Sequence, residues 1–444
     1  MFTNNKIFIL GFARSGYEAA KFLAHRGNEI VLNDMKTEHD DSQIKELESL
    51  GVKIVLGSHP DDLLDDSFDY LIKNPGVPID HKYVLKAREF GVEVINEVEM
   101  AYRLLPSDVK LVGITGTNGK TTTTTLIYEM LCRDGKSAHL TGNIGYPLCS
   151  FLEKLKSGDI IVMETSCQQL ENLTKFNPDI AVMTNLSPAH IDFLKSYENY
   201  KRVKCKIFQN HTEKNVAVLN IENDDVMEMT KDIKSTVKYF SSKREINGCY
   251  IKDDFIYYYD EKIIKLSDIK LIGMHNYENI MAAIMVVKEL GVKNESIVSL
   301  LKEFNGVSHR IEFVRELDNV KYYNDSKATN IKATQIALSS FSNPTVIILG
   351  GLERGQDFNE LKDYMKNVKY VVAVGQCRER VKEFAQSLGI PYTVTEFLKD
   401  AVLVCQKVSS SGDVVLLSPS SASWDQYKCF EDRGDEFKNI VNSL

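Results

Sequence analysis

The residues best suited to chemistry form one short stretch, Gly113-Ile-Thr-Gly116-Thr117-Asn118-Gly119-Lys120-Thr121-Thr122. It follows the apolar run Lys110–Ile114 and precedes a helix expected from Lys120 to about Arg133. Glycines let backbone N–H groups curl around phosphate oxygens, and the helix start adds the positive end of its dipole. Lys120 would reach the β- and γ-phosphates of a nucleoside triphosphate, and Thr121 would ligate Mg²⁺. The strict Gly-x4-Gly-Lys-Thr spacing is not met, because position 114 is Ile and the glycines stand at 113, 116 and 119. Read alone, the stretch is also compatible with a glycine-rich turn carrying an exposed lysine. Five consecutive threonines, Thr121–Thr125, are poor helix formers, and that local cost points to function.

Further polar groups sit where strands should end. Glu164 closes the apolar run Asp159–Glu164, and a carboxylate there points into a ligand crevice or out to solvent. His190 follows the run Ile180–Asn185, and Lys201, Lys204 and Lys206 lie on one helical stretch. Asn276 and Asn279 open a helical segment, Asn276–Leu290, where an asparagine can serve simply as a cap. Asp325-Ser-Lys327-Ala-Thr329-Asn330 is a dense polar cluster after the strand candidate Val320–Asn324. Near the N-terminus, Gly11-Phe-Ala-Arg14-Ser15-Gly16 with Asp34 further on is a variant of the dinucleotide fingerprint, with Ala13 at its second glycine.

These groups need α/β scaffolding. Strand candidates Lys6–Leu10, Glu29–Asn33, Lys53–Leu56, Tyr70–Lys73 and Glu93–Ile95 alternate with helical stretches, beginning with Tyr17–Arg26, a rhythm that implies a parallel sheet. The pattern breaks near Tyr102–Asp108 and again near Asn305–His309. Between the breaks, Asn215–Leu271 is rich in short β-like runs such as Tyr250–Tyr259. The last part has strand candidates Val320–Asn324, Thr345–Leu349, Tyr370–Val374 and Asp413–Ser418. Three domains are expected, at 1–104, 105–306 and 307–444.

Composition narrows the class. The 444 residues are 43% hydrophobic and 26% charged, which excludes a disordered or collagen-like chain. A formal net charge of -8 gives no global cationic field for nucleic acid. No apolar run approaches the roughly 18–20 residues that span a bilayer. Eight scattered cysteines without a Cys-x-x-Cys pair suit reduced thiols in a cytoplasmic protein.

Gly-Thr-Asn-Gly-Lys-Thr after a strand resembles the Mur ligases and the folylpolyglutamate synthases, and the resemblance extends along the whole chain. It implies a three-domain α/β fold: a Rossmann-like N-terminal domain, a P-loop ATPase-like central domain and a Rossmann-like C-terminal domain. It also implies ATP-dependent amide formation with Mg²⁺. By this resemblance Gly116, Thr117, Asn118, Gly119, Lys120, Thr121, Thr122, Asn276, Arg310 and Asp325 bind ATP. Thr121, Glu164, His190 and a carbamylated Lys204 bind metal, with Lys120, Glu164, His190 and Lys204 catalytic. Lys204 is chosen by register, and Lys201 and Lys206 are the alternatives, as exposed residues on a helix. Arg14, Ser15, Gly16, Asp34, Gly76 and Asn143 are expected on a UDP-linked sugar.

Ser418-Pro-Ser-Ser-Ala-Ser423-Trp-Asp-Gln-Tyr-Lys-Cys-Phe430 resembles the D-glutamate-adding branch of the family. Lys327, Thr329, Arg354, Ser423 and Phe430 would then line the amino-acid pocket. Departures are Cys167 and Gln168 where relatives often carry Ser and Phe, Ala189 before His190, and Arg354 where many carry Lys. The implied partners are UDP-N-acetylmuramoyl-L-alanine, D-glutamate and ATP, with no nucleic acid and no membrane span, and a monomer is expected. Domain closure over ATP is expected to assemble the site. Competing readings are another amide ligase of the superfamily and a nucleotide-sensing module with a degenerate loop. A simple dehydrogenase would leave the Lys120 loop unexplained.

Overall fold

The computed structural model describes residues 1–188 and 194–444. It holds three sheets, most of whose strands fall on the expected apolar runs; Ala138–Gly142, Glu312–Leu317 and Tyr392–Val394 are strands that the linear pattern did not single out. The first contains β1 (Lys6–Leu10), β2 (Glu29–Asp34), β3 (Lys53–Leu56), β4 (Tyr70–Lys73) and β5 (Glu93–Ile95), in the order β3-β2-β1-β4-β5. All its pairings are parallel. Ile7 through Leu10 are buried, as a strand covered by helices on both faces requires.

The second sheet contains β6 (Lys110–Thr115), β7 (Ala138–Gly142), β8 (Ile160–Glu164), β9 (Ile180–Met183), β10 (Val216–Asn220), β11 (Thr236–Ser241), β12 (Gly248–Lys252), β13 (Phe255–Tyr258) and β14 (Glu261–Lys265). Their order is β14-β13-β12-β11-β10-β9-β6-β8-β7. The stretch Tyr250–Tyr259 is two antiparallel strands, because Asp253 and Asp254 take positive φ and reverse the chain. The third sheet contains β15 (Glu312–Leu317), β16 (Val320–Asn324), β17 (Thr345–Gly350), β18 (Val368–Val374), β19 (Tyr392–Val394) and β20 (Val414–Leu417). Its order is β15-β16-β20-β17-β18-β19, with β15 antiparallel.

Compact packing groups the chain into two units. One holds Met1–Ser267 and Glu278–Leu300, and the other holds Asp268–Tyr277 and Leu301–Leu444. The first unit therefore carries two of the sheets. The first helix, Arg14–Ala24, begins three residues before the apolar periodicity suggests, so Arg14, Ser15 and Gly16 lie within its first turn. A side chain on Gly16 would place Cβ 1.9 Å from the Gly11 carbonyl oxygen, so only glycine fits. Among the described residues, no helix is long and apolar enough to cross a membrane.

Inside the first unit, Glu99 joins the two sheets' surroundings. Its buried carboxylate accepts from the backbone N–H groups of Thr174, Lys175 and Phe176, from the Thr174 hydroxyl at 2.8 Å and from Arg103 Nε at 2.9 Å. Burial alone would raise this carboxyl's pKa, yet those donors hold it below its ordinary value. The stabilisation is therefore present above the unfolded glutamate's pKa and disappears as pH falls through the lower folded value. Replacing Glu99→Ala leaves Arg103 paired with Glu93 at 2.6 Å but strands the backbone donors of Thr174, Lys175 and Phe176. Urea unfolding should show a loss of about 2–4 kcal/mol, the cost of unsatisfied buried donors; a change within about 0.5 kcal/mol would contradict this role.

Candidate active site

The phosphate-type loop lies between β6 and the helix Lys120–Arg133. Gly116 and Gly119 have φ of 147° and 80°. A Cβ on Gly116 would lie 2.0 Å from Thr184 Oγ1, and one on Gly119 would lie 2.1 Å from Asn279 Oδ1. Both glycines are therefore required by conformation and by space. The loop is braced from β9's end: Thr117 N–H donates to the Asn185 carbonyl at 2.8 Å, and Asn118 N–H donates to Asn185 Oδ1 at 3.0 Å. Thr184 Oγ1 donates to the Asn118 carbonyl at 2.6 Å. Lys120 Nζ donates to the Thr117 carbonyl at 2.9 Å, folding the lysine back over its own loop.

The threonine run pays its propensity cost through contacts. Thr121 to Thr124 are buried, Thr124 Oγ1 donates to the Lys120 carbonyl at 2.7 Å, and Thr123 Oγ1 meets Asn279 Oδ1 at 3.4 Å. Asn279 thus supports the loop, a role its capping pattern did not reveal.

Glu164 ends β8 beside β6, with Ile114 and Gly142 as its register partners. It is 1% exposed. Its Oε1 accepts from Asn143 Nδ2 at 2.7 Å, and its Oε2 has no hydrogen-bond partner among the described residues. A buried carboxylate oxygen left so is costly unless a cation or donor meets it.

Lys204 lies on the helix Tyr197–Cys205 and is 1% exposed. Its Nζ donates to Thr115 Oγ1 at 3.3 Å and sits 5.0 Å from the Tyr200 ring centre. Among the described residues it forms no ion pair. Burial first, then the neighbouring Lys120 charge, lowers its pKa to about 7, with Glu164 pulling the other way. Lys201, expected to be exposed, is instead buried and spent on Glu198 at 2.7 Å and Asp225 at 3.2 Å. Lys206 donates to the Glu171 carbonyl. Lys204 is therefore the lysine of the three that faces the Lys120 loop without a carboxylate bonded to it. His190 lies outside the described residues. Among the described residues, no three His, Cys, Asp or Glu side chains converge as metal ligands.

The N-terminal candidates also gather. Asn74 Nδ2 donates to Ser15 Oγ at 3.0 Å, and Gly76 N–H donates to Asn74 Oδ1 at 3.0 Å. Arg14 Nη1 donates to the Gly145 carbonyl at 2.8 Å, two residues beyond Asn143. Asp34 accepts from the backbone N–H groups of Phe12 and Lys36, at 2.6 and 2.8 Å, so it also shapes the first turn. Buried Lys73 donates to the Val77 carbonyl and supports the Asn74–Val77 turn; burial lowers its pKa to about 8.

In the second unit, Arg310 stands between His309 and Ile311, whose φ of 63° and 46° are unfavourable for side-chain-bearing residues. Its Nε is buried without a partner among the described residues. Asp325 accepts from Ser418 Oγ at 2.7 Å and Ile311 N–H at 3.2 Å, and burial pushes its pKa up to about 7. Asn276 Nδ2 donates to the Ile272 carbonyl at 2.7 Å. Lys327 Nζ lies 5.4 Å from the Phe430 ring centre, and Thr329 N–H donates to the Lys327 carbonyl. Ser423 is buried, and its Oγ has no partner among the described residues.

Arg433, which the linear pattern did not single out, ties these loops together. Its Nε donates to Ser326 Oγ at 2.9 Å, and its Nη2 donates to the Ser326 and Ser421 carbonyls at 2.8 and 3.1 Å. It is a buried guanidinium on the helix Phe430–Ser443, whose contacts become visible only when that helix packs.

Comparison with known proteins decides the family. Residues 5–96 match the Mur ligase MurD-like N-terminal domain, 114–287 the Mur ligase middle domain, and 309–421 the Mur ligase glutamate ligase domain. A UDP-N-acetylmuramoylalanine--D-glutamate ligase of Geobacillus kaustophilus (strain HTA426) is 44% identical over 446 residues, covering 100% of this chain and 98% of the relative. The chain belongs to the Mur ligase family. A relative of the same name from Lactococcus lactis subsp. lactis (strain IL1403) is also 44% identical, with 100% and 98% covered. Among solved Mur ligases, MurF from Thermotoga maritima in complex with ADP has a TM-score of 0.61 at 18% identity, covering 99% of this chain and 96% of its own. The UDP-N-acetylmuramate-alanine ligase of the same organism has a TM-score of 0.59 at 20% identity, with 99% of each chain covered. The three-domain Mur ligase fold is thus the fold of this chain, and its class is that of ATP-dependent ligases.

Gly119→Ala tests the loop. Its Cβ would strike Asn279 and require a strained φ, so nucleotide affinity measured by calorimetry should fall at least tenfold while the fold persists in circular dichroism. Unchanged affinity would show that the loop's shape is not what holds the nucleotide.

Proposed function

We propose that this chain catalyses the ATP-dependent addition of D-glutamate to UDP-N-acetylmuramoyl-L-alanine, through an acyl phosphate, in peptidoglycan precursor synthesis. One joint observation carries the reading: full-length likeness to relatives of that name accompanies a phosphate-type loop after β6 with buried Glu164 and buried Lys204 set beside that strand's end. In this reading residues 1–104 take the UDP-linked substrate, 105–306 the ATP and 307–444 the amino acid. The reaction belongs in the cytoplasm, where ATP is made.

A carboxylate resists attack because it is anionic and its oxide leaves poorly. Phosphorylation by ATP gives it a good leaving group, and the amine of D-glutamate then displaces phosphate through a tetrahedral intermediate. The loop N–H groups of Gly116 to Thr122 hold phosphate oxygens, and Lys120 offsets charge on the transferring group. Asn276, Arg310 and Asp325 are assigned to the same nucleotide; a guanidinium stays charged and its fork matches phosphate. Arg14, Ser15, Gly16, Asp34, Gly76 and Asn143 are assigned to the UDP-linked substrate. Lys327, Thr329, Arg354, Ser423 and Phe430 are assigned to D-glutamate.

Glu164 Oε2, without a hydrogen-bond partner among the described residues, suits a divalent cation, as do the Thr121 hydroxyl and a Lys204 amine made anionic by CO₂. His190 completes that set in the proposal. Mg²⁺ held there would offset the negative charge where phosphate and carboxylate meet. Lys204 has the property carbamylation needs, since near neutral pH a large fraction of its amine is uncharged and nucleophilic.

A coupled assay of ADP release tests the reading. ADP should appear in proportion to D-glutamate when the UDP-linked substrate and Mg²⁺ are present, and Lys120→Ala should reduce turnover by at least a thousandfold. Full turnover in that variant, or ADP release indifferent to D-glutamate, would sink the assignment.

A further inference from the structure

Trp424 is the single tryptophan of the chain, and it is 63% exposed. An aromatic ring of that size left open to water has a large contact area to offer. It follows Ser423, whose buried hydroxyl has no partner among the described residues. The Arg354 guanidinium carbon stands over the Trp424 ring, 4.6 Å from its centroid. Among the described residues Arg354 forms no ion pair, and its side chain makes no hydrogen bond. The charge therefore rests on a π face with its donors unspent.

The two loops that carry this pair are fastened to each other. Leu352 N–H donates to the Ala422 carbonyl at 2.9 Å, and Gly350 N–H donates to the Pro419 carbonyl at 2.9 Å. Gln356 links them again: its Nε2 donates to Ser421 Oγ at 2.6 Å, while its Oε1 accepts from Arg354 N–H at 2.9 Å. The backbone under Arg354 is thus fixed, whereas the one polar or ring contact of its long side chain among the described residues is the Trp424 face. Stacking lowers the rotamer entropy left to lose when an anion arrives, because the fork is already directed.

We propose that Trp424 is a positioning residue for amino-acid specificity, holding the Arg354 guanidinium ready for the side-chain carboxylate of the incoming acidic amino acid. This deepens the D-glutamate reading and rests on it. The ring is a platform: it makes no bond to the reacting atoms, and the amino acid covers it on binding.

The test measures steady-state KM and kcat across a panel of acidic and neutral amino acids. Trp424→Ala should raise the KM for D-glutamate roughly three- to thirtyfold and leave kcat within about twofold. Trp424→Phe should recover most of that loss, because a phenyl face still stacks. In an Arg354→Met background, adding Trp424→Ala should change KM little further, since the ring then has no cation to hold. Emission from the sole tryptophan should shift saturably as D-glutamate is added to enzyme loaded with UDP-linked substrate and a non-hydrolysable ATP analogue. If wild-type enzyme turns over only neutral amino acids, the functional reading fails and this proposal falls with it. If wild type uses D-glutamate but Trp424→Ala has an unchanged KM, the Trp424 role alone is overturned. A full Trp424→Ala penalty in the Arg354→Met background overturns it equally.

Discussion

The buried Lys204 amine lies close to the positive charge of the partly exposed Lys120 at the C-terminal end of β6, and the loop between them holds that tension. Lys120 belongs to the loop after β6, and Lys204 comes from a helix much later in the chain. Burial and the Lys120 charge both disfavour the charged form of Lys204. Lys204 yields, its pKa falling to about 7. Glu164 is the carboxylate that pulls against this shift, and one of its oxygens remains unpartnered among the described residues. Such a pocket is poor for stability and well suited to anionic phosphate, a metal ion and CO₂ chemistry.

Holding that arrangement needs stiff backbone. Gly116 and Gly119 have no room for a Cβ because Thr184 and Asn279 press against them. The parallel register of β6 with β8 and β9 sets Glu164 and the Thr184–Asn185 brace on either side of the loop. The second unit solves a similar problem differently. Left-handed His309 and Ile311 flank Arg310, and Arg433 pins Ser326 and Ser421 so that their loops keep one spacing. In both units candidate polar groups stand at strand ends, Glu164 at the end of β8 and Asp325 just after β16.

Much of this was legible in the linear pattern. Strand runs such as Lys53–Leu56 and Glu93–Ile95 coincide with the observed strands because apolar residues bounded by turn formers have few other places to go. Glu164 and the Lys120 loop were legible for the same reason: their position relative to a strand defines their direction. What stayed hidden depends on distant packing. Nothing local says that Asn143 bonds Glu164, that Asn279 props Gly119, or that Arg433 bridges two loops. The exposed reading of Lys201 failed because its carboxylate partner Asp225 lies on a separate helix. The first helix begins early because Gly16 must pass close to Gly11, a steric demand that periodicity does not encode.

The direct test of this picture is carbon-13 NMR of the enzyme equilibrated with labelled bicarbonate at a pH above the depressed Lys204 value. A carbamate resonance should appear, weaken below that value as the amine protonates, and vanish in Lys204→Arg. No resonance in the wild type, or one that persists in Lys204→Arg, would contradict the view that this crowded amine is the group the pocket is built to convert.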